Sequence, residues 1–459
     1  MKLPSSRDVA RQLGLQRKIV VRAYRLLQDE GWVTAGVGQG TFVSHADSRS
    51  RAVGNGHDWT RALRRSARPR PWMNATVAGP GDLIRFTGAT ADPSTFPADA
   101  FRDVLDEVFR TMGASALEYG PTEGVADLRG WVAERLRARG SELNADQVII
   151  VSGSQQGLDL ISRLLVAPGD NVLVEEPGYA SGFRLFHANG ASVHGVPVDE
   201  DGLRFDVLAD AASRHSPRFL YLMPNFQNPT GISLREARRV ELMDLCDRAG
   251  LPVVEDQFDS DLYYEGAPPR PLQAMDRGQR VVLLGSFSKI LFPGLRLGWL
   301  VVPPALVQPV RELKQMADFG SSLLAQHAMV LYCRRGLLER HLEGVRQVYG
   351  GRLRAMLDAM DRWFPPEVSW TRPKGGLTLW CTLPPRLSAA DLLPRAREAG
   401  IDFSPGSLFH PSGGGGNTLR LSYIREPEER IRRGIEIFGA LLKSALEREP
   451  AGSSGGPMI

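Results

Sequence analysis

SFSKILFPGLRLGW, residues 286–299, follows directly on the apolar run VVLL at 281–284. It places Lys289 just past a strand, between the hydroxyls of Ser286 and Ser288 and ahead of Arg296. A cofactor that carries an aldehyde and a phosphate needs such a set. The lysine amine forms a Schiff base, while hydroxyls and a guanidinium hold the phosphate dianion. A surface lysine beside a turn would be spelled the same way, so the neighbouring motifs must decide.

Working outward, short β-branched runs recur at 148–151 (VIIV), 172–175 (VLVE), 219–222 (FLYL) and 252–255 (PVVE), separated by amphipathic helical stretches. Near-continuous apolar strands alternating with helices predict an α/β fold with a mostly parallel sheet covered on both faces. Ligands then bind at the carboxyl ends of the strands, and the polar motifs fall there. VSGSQQGLDLI (151–161) opens a helix at Gly153, Ser154 and Gln155, whose backbone N–H groups can face an anion. VVEDQFDSDL (253–262) sets Asp256 at a strand end, where a carboxylate can pair with a protonated pyridine nitrogen, although a capping acid would read alike. PNFQNPTG (224–231) offers Asn228 as a donor to a ring phenolate oxygen, and EEPGYAS (175–181) offers Tyr179 to stack on the ring. NTLRLSY (417–423) offers Arg420 as a clamp for a carboxylate.

In this order, residues 84–445 resemble the fold-type I pyridoxal-phosphate enzymes of the aspartate aminotransferase superfamily, nearest to α-aminoadipate aminotransferases and MocR-type regulators. The resemblance implies pyridoxal 5′-phosphate as cofactor, with Lys289 as the Schiff-base lysine and Asp256 as the pyridinium partner. It implies Asn228 on the cofactor's O3′, Tyr179 over the ring, Ser154, Gln155, Ser286, Ser288 and Arg296 on the phosphate, and Arg420 on a ligand carboxylate. Tyr119 in EYGPTEG (118–124) matches the tyrosine that reaches a neighbouring subunit's phosphate, which implies a homodimer. Gly88 in FTGATADPSTFP (86–97) matches a backbone contact near the ligand carboxylate. One departure stands out. The superfamily has a tyrosine two or three residues after the aspartate, donating to O3′, and here those positions are Phe258 and Asp259, unless Tyr263 or Tyr264 substitutes.

The N-terminal 43 residues have a different character. In LPSSRDVARQLGL (3–15), Ser5 or Ser6 can cap a helix with Val9, Ala10 and Leu13 on one face, and Gly14 supplies a turn. A second helix carries Val20, Ala23, Tyr24 and Leu27 at helical spacing. EGWVTAGVGQGTFV (30–43) then reads as two short strands joined by a glycine-rich turn, completing a winged helix-turn-helix. The segment resembles the DNA-binding domain of the GntR family, through LPSSR and GQGTFV. That resemblance places Ser5, Ser6, Arg7, Gln16, Arg17, Lys18, Arg22, Gly40 and Thr41 against double-stranded DNA. It departs in two ways. The family has a further helix before LPSSR, expected to be missing here, and its Ser-Arg-x-Thr is Gln16-Arg17-Lys18-Ile19.

Charge agrees with this division. Residues 1–43 hold seven basic against three acidic residues, and residues 44–80 add seven arginines against two aspartates. With +4 over the whole chain, the body is acidic on balance. A basic head on an acidic body predicts a polyanionic partner for the head. The expected organisation is a head over 1–44, a basic linker over 45–80, and a cofactor-binding body over 81–447. The body's large lobe is expected at about 115–335 and its small lobe at about 336–447, ahead of a disordered tail over 448–459. The 459 residues are 42% hydrophobic, with three scattered cysteines (Cys246, Cys333, Cys381) in no metal or disulfide spacing. No apolar run approaches the roughly 18 residues of a membrane span, and the polar, basic opening is no signal peptide. A cytoplasmic protein without a metal is expected.

A GntR-type head joined to an aminotransferase-like body is the MocR architecture, which implies a regulator that senses an amino compound or pyridoxal phosphate itself by Schiff-base exchange at Lys289. The alternative is a working aminotransferase of α-aminoadipate, aromatic or branched-chain type with a vestigial head. A third reading, a DNA-binding protein whose body only dimerises, has less in its favour.

Overall fold

The computed structural model describes residues 3–13, 16–29, 33–36, 40–43, 83–88 and 91–448, and the chain divides into two units, Met1–Pro69 and Arg70–Ile459. The expected linker over 45–80, the turn at Gly14 and all but the first residue of the expected tail lie outside the described residues.

In the first unit, helices Ser6–Leu13 and Arg17–Asp29 precede an antiparallel hairpin of β1 (Val33–Gly36) and β2 (Gly40–Val43). Ser5 Oγ accepts the backbone N–H of Asp8 (3.2 Å), so Ser5 supplies the cap. Leu3 N–H donates to the Thr41 carbonyl (2.8 Å) and Tyr24 Oη to the Pro4 carbonyl (2.9 Å), tying the opening segment to hairpin and second helix. Ala10, Val20 and Val33 form the buried centre. The apolar face expected on the second helix is only half used: Val20 is buried and Tyr24 partly so, but Ala23 and Leu27 are exposed. Among the described residues no third helix covers that flank, and a unit this small buries little of its surface.

In the second unit, all five apolar runs become strands of one eight-stranded sheet. Its members are β4 (Val148–Val151), β5 (Asn171–Glu176), β6 (Ser192–Asp199), β7 (Gly202–Leu203), β8 (Leu220–Leu222), β9 (Val253–Gln257), β10 (Val281–Ser286) and β11 (Gly298–Val301), in the order β4-β11-β10-β9-β8-β5-β6-β7. From β10 through β6 the strands are parallel. Every residue of β4 and β10 is buried, as a sheet covered on both faces demands. Three strands of this sheet escaped the sequence reading, the two-residue β7 among them. β11, antiparallel between β4 and β10, lies inside the motif read for its arginine. β6 is a half-exposed, mixed-polarity strand with no clean apolar signature.

The small lobe packs an antiparallel sheet, β12 (Ser369–Trp370), β13 (Thr378–Thr382), β15 (Ser404–Pro405) and β16 (Thr418–Ser422), against helices Ala389–Glu398 and Glu428–Arg448. A strand from far upstream joins it. β3 (Ile84–Arg85) pairs in parallel with β14 (Ile401–Asp402), and the buried Phe86 exchanges backbone bonds with Asp402 and Ser422 (both 2.8 Å). Residues 83–88 therefore belong with the small lobe, which does not begin at 336. Local pattern could not reveal this, because the pairing spans more than three hundred positions.

Candidate active site

At the carboxyl edge of the parallel strands lies a cavity of about 320 Å³. Five strands, β4, β5, β8, β9 and β10, deliver polar groups to it. Asp256 stands on β9 opposite Leu284 of β10, Lys289 follows three residues after β10, Asn228 lies beyond β8, Tyr179 beyond β5, and Ser154 and Gln155 beyond β4. Ser286, Ser288 and Arg296 line one end of the cavity, and Gly88 and Arg420 the small-lobe side. Nine of the eleven residues expected to hold the cofactor therefore meet here, with both residues expected to hold a ligand carboxylate.

The end bearing Ser154 is built for an anion. Helix Ser154–Leu165 begins there, so its unpaired N–H groups and dipole face the cavity. Gly153 does not line the wall but stands behind it with φ +92°, and a Cβ there would come within 2.8 Å of Arg296 Nη2. Arg296, itself left-handed at φ +51°, donates from Nη2 to the Ser152 carbonyl (2.8 Å). The loop is braced from below. Asp318 accepts from Gln156 Nε2 (2.7 Å), Ser152 Oγ (3.3 Å) and the buried Lys314 (2.7 Å).

In the middle, Asp256 Oδ2 accepts from Tyr221 Oη (2.8 Å), while Oδ1 is buried without a partner. Burial, only partly offset by the Tyr221 bond, pushes this carboxyl up to about 7. Tyr221 was not foreseen. It sits inside the run FLYL as an apparent core residue, and only the parallel register of β8 on β9 aims its hydroxyl at Asp256. The second buried acid nearby, Glu175, accepts from the Met223 N–H (2.8 Å) and is pushed to about 8, chiefly by burial. The Lys289 amine is brought down to about 8 by burial and then by the positive Arg420, with Asp259 opposing.

On the small-lobe side, buried Arg420 donates from Nη1 to Asn228 Oδ1 (3.0 Å) and from Nη2 to Ser404 Oγ (3.3 Å), over the ring of Phe409 at 4.8 Å. Its Nε is unpartnered, and burial lowers its pKa to about 10. Because Asn228 Oδ1 is engaged, its amide NH₂ is the group left to face a ligand. Ser404 and Phe409 had no sequence signal; they arrive by folding of the 401–409 segment.

One alternative that the sequence left open is closed. Neither Tyr263 nor Tyr264 replaces the tyrosine absent at 258: Tyr264 donates to the Gly376 carbonyl, and Tyr263 lies under Arg346 (4.0 Å) outside the cavity, where it lines a second one. Phe258 does line the wall. Tyr119 is absent from the cavity of its own chain, 88% exposed beside the 65% exposed Phe319 with rings 6.2 Å apart.

The polar groups present fit pyridoxal 5′-phosphate. The orphaned Asp256 Oδ1 suits a protonated ring nitrogen, the unpartnered Ser288 Oγ and the helix start suit a phosphate, and the glycine cradle leaves room for it. In the head, Arg7, Gln16, Arg17, Lys18, Arg22 and Gly40 are exposed, while Ser6 and Thr41 are half-buried. Ser5 and Ser6 have intramolecular roles: Ser5 as the cap, and Ser6 Oγ accepting from Arg17 Nε (3.5 Å). Among the described residues there is no cluster of metal-ligating side chains and no helix long and apolar enough to cross a membrane.

Comparison with known proteins gives two family matches, "Aminotransferase class I and II" over residues 88–438 and "Bacterial regulatory proteins, gntR family" over residues 1–43. A 2-aminoadipate transaminase of Thermus thermophilus is 40% identical over 79% of this chain and 91% of its own length. A Rhizobium meliloti protein named "Probable rhizopine catabolism regulatory protein MocR" is 30% identical over 95% of this chain and 88% of its own. The crystal structure of LysN, an α-aminoadipate aminotransferase of Thermus thermophilus complexed with N-(5′-phosphopyridoxyl)-L-leucine, superposes with a TM-score of 0.78 at 37% identity, covering 85% of this chain and all of that one.

Proposed function

The chain belongs to the class I and II aminotransferase family and carries a gntR-family segment at its N-terminus, and on that premise we propose that it is a MocR-type transcription regulator, binding pyridoxal 5′-phosphate in its body and a double-stranded DNA operator through its head, and changing its grip on DNA when an amino compound enters the cavity. The observation that carries the reading is the convergence of Lys289, Asp256, Asn228 and Arg420 on one cavity in a chain that also has a winged head. Its place of action is the cytoplasm, where DNA and cofactor are both found.

Pyridoxal phosphate supplies an aldehyde that primary amines take up and a ring that withdraws electrons. The chain's own groups do the rest. Lys289 presents the amine that competes with an incoming one. Asp256 holds a proton at the ring nitrogen through its open Oδ1, with Tyr221 fixing its other oxygen. Asn228 donates to O3′ and Tyr179 covers the ring face. Ser154, Gln155, Ser286, Ser288 and Arg296 hold the phosphate, with Gly153 making space behind them. Arg420, desolvated and stacked on Phe409, binds a carboxylate, which directs the site to acidic amino compounds. Gly88 closes that side. A second copy of the chain covers the exposed Tyr119–Phe319 pair, so that Tyr119 completes the partner's phosphate site. In the head, Arg7, Gln16, Arg17, Lys18 and Arg22 contact DNA from the helices, and Gly40 and Thr41 from the wing.

Linkage governs the response: an amine alters DNA binding only through unequal affinity for the two arrangements of the protein. The full chain would be loaded with pyridoxal phosphate, reduced with borohydride to locate the attachment, and titrated with acidic amines against an operator selected from genomic fragments. Attachment at Lys289 and parallel changes in visible spectrum and operator affinity are expected. Amines that change the spectrum but leave operator affinity untouched sink the regulatory reading. The second reading, an aminotransferase, is favoured by the intact cavity and the transaminase relatives. It predicts stoichiometric amino-group transfer to a keto acid without operator binding.

A further inference from the structure

A second cavity, of about 430 Å³, lies outside the site described above, and its size falls within the roughly 300–1,000 Å³ of small-molecule sites. Helix Ala126–Arg137 and the turn after it supply Trp131, Arg135 and Arg139 to its wall. Residues 263–268 supply Tyr263, and helix Leu337–Trp363 supplies Leu342 and Arg346. Next to this wall Asp261, 5% exposed, holds all three arginines. Its carboxylate accepts from Arg135 Nη2 (2.9 Å) and from Arg139, and its carbonyl accepts from Arg346 Nε (2.7 Å). Arg346 lies over the Tyr263 ring at 4.0 Å and Arg135 over Trp131 at 5.2 Å, so flat cations are seated on flat rings.

The charges there do not close. Glu339 accepts from Arg135 Nη1 (2.7 Å), and the Asp261 carboxylate is shared by Arg135 and Arg139. Arg346 has no acid of its own among the described residues: its one hydrogen bond leaves through Nε, so Nη1 and Nη2 are uncommitted. Arg135 Nε is buried without a partner. Glu134 also lines the cavity but is solvent-exposed, where water and salt screen it. One half-buried guanidinium fork thus stands open beside aromatic walls, a surface that recognises a flat molecule with a single negative charge. We propose that this cavity is a second ligand site, for a small aromatic monocarboxylate whose carboxylate pairs with Arg346 and whose ring lies among Trp131, Tyr263 and Leu342. A phosphate dianion would lack one counter-charge here. The site backs on the cofactor cavity: the Trp131 ring is 6.1 Å from that of Phe287, which stands between Ser286 and Ser288. Tyr263 also bridges to Gly375, just ahead of β13 in the small lobe. An acid without an amino group therefore has a place from which to bear on the sensing cavity. That consequence rests on the regulator reading, whereas the binding site does not.

The test uses the full chain and 2-naphthoate, which has no amino group to react at Lys289, so it fails or succeeds separately from the cofactor reading. Calorimetric titration should show binding that Arg346→Gln weakens roughly tenfold or more, the loss of one charge-assisted contact. Arg420→Ala should leave that binding in place, and inorganic phosphate should bind more weakly than 2-naphthoate. Three results overturn the proposal: no binding at millimolar concentration, binding lost in Arg420→Ala but kept in Arg346→Gln, or phosphate bound as tightly. Photolabelling of the unmodified chain with 4-benzoylbenzoate gives a second reading that does not depend on any variant folding. The label is expected on peptides that carry Trp131, Tyr263 or Leu342, and label confined to peptides of the cofactor cavity counts against the site.

Discussion

The cavity and the winged head use polar side chains in opposite ways. Around the cavity, Asp256, Asn228, Ser286 and Arg420 are buried, each with few partners, and Asp256 Oδ1 and Arg420 Nε have none. In the head, Arg7, Arg17, Lys18 and Arg22 stand on the outside of two short helices. Burial displaces proton affinities, which brings Asp256 to about 7 and Arg420 to about 10 and readies them for a specific charged ligand. Exposure leaves head charges screened and individually weak, useful only in number and against a dense polyanion. Each cavity group should therefore be nearly indispensable, and each head group dispensable by degrees.

Arg420→Ala should produce the largest break. It removes a desolvated guanidinium and strips Asn228 Oδ1 and Ser404 Oγ of their donor. A loss of about 3 kcal/mol, roughly a hundredfold in affinity, is expected for acidic amines in spectral titration. Amines without an acidic group should be weakened far less. Equal losses for both classes would mean that Arg420 shapes the cavity rather than binding a carboxylate.

Next in size is a pH effect confined to the body. Asp256 and Glu175 have folded-state values of about 7 and about 8, raised by burial above the roughly 4 of unfolded carboxyls. Their stabilising contribution is complete below the unfolded value and is lost as pH climbs through the folded ones. Cofactor-free protein should thus lose thermal stability between about pH 4 and pH 8, and Asp256→Asn should reduce that loss. Thermal melts across this range decide the matter, and identical pH slopes in the two proteins would contradict it. Loading with pyridoxal phosphate should act in the same direction as the Asn variant, because a protonated ring nitrogen supplies Asp256 with a counter-charge.

The smallest effect belongs to the head. Arg17→Ala should weaken operator binding modestly and lower the dependence of log affinity on log salt by about one unit if Arg17 meets a phosphate. Fluorescence anisotropy at several salt concentrations measures this. An unchanged slope would remove Arg17 from the DNA contacts without touching the cavity.

Spelling alone disclosed the order of the motifs, the strands that carry them, the lysine at a strand end and the arginine seven residues on. These signals are local: a buried parallel strand is written as a run of β-branched residues, and a phosphate loop as glycine and serine before a helix. The head's hairpin and cap were legible for the same reason. What came only with the folded chain lies across distances that periodicity does not span. Tyr221 reaches Asp256 through the register of two strands, Ser404 and Phe409 seat Arg420 through a later segment, and β3 joins a lobe whose other strands lie more than two hundred and eighty residues downstream. Residue spacing encodes local geometry, whereas the partner of a buried polar group is chosen when separate segments compete for the same interior and only one packing satisfies their hydrogen bonds and charges.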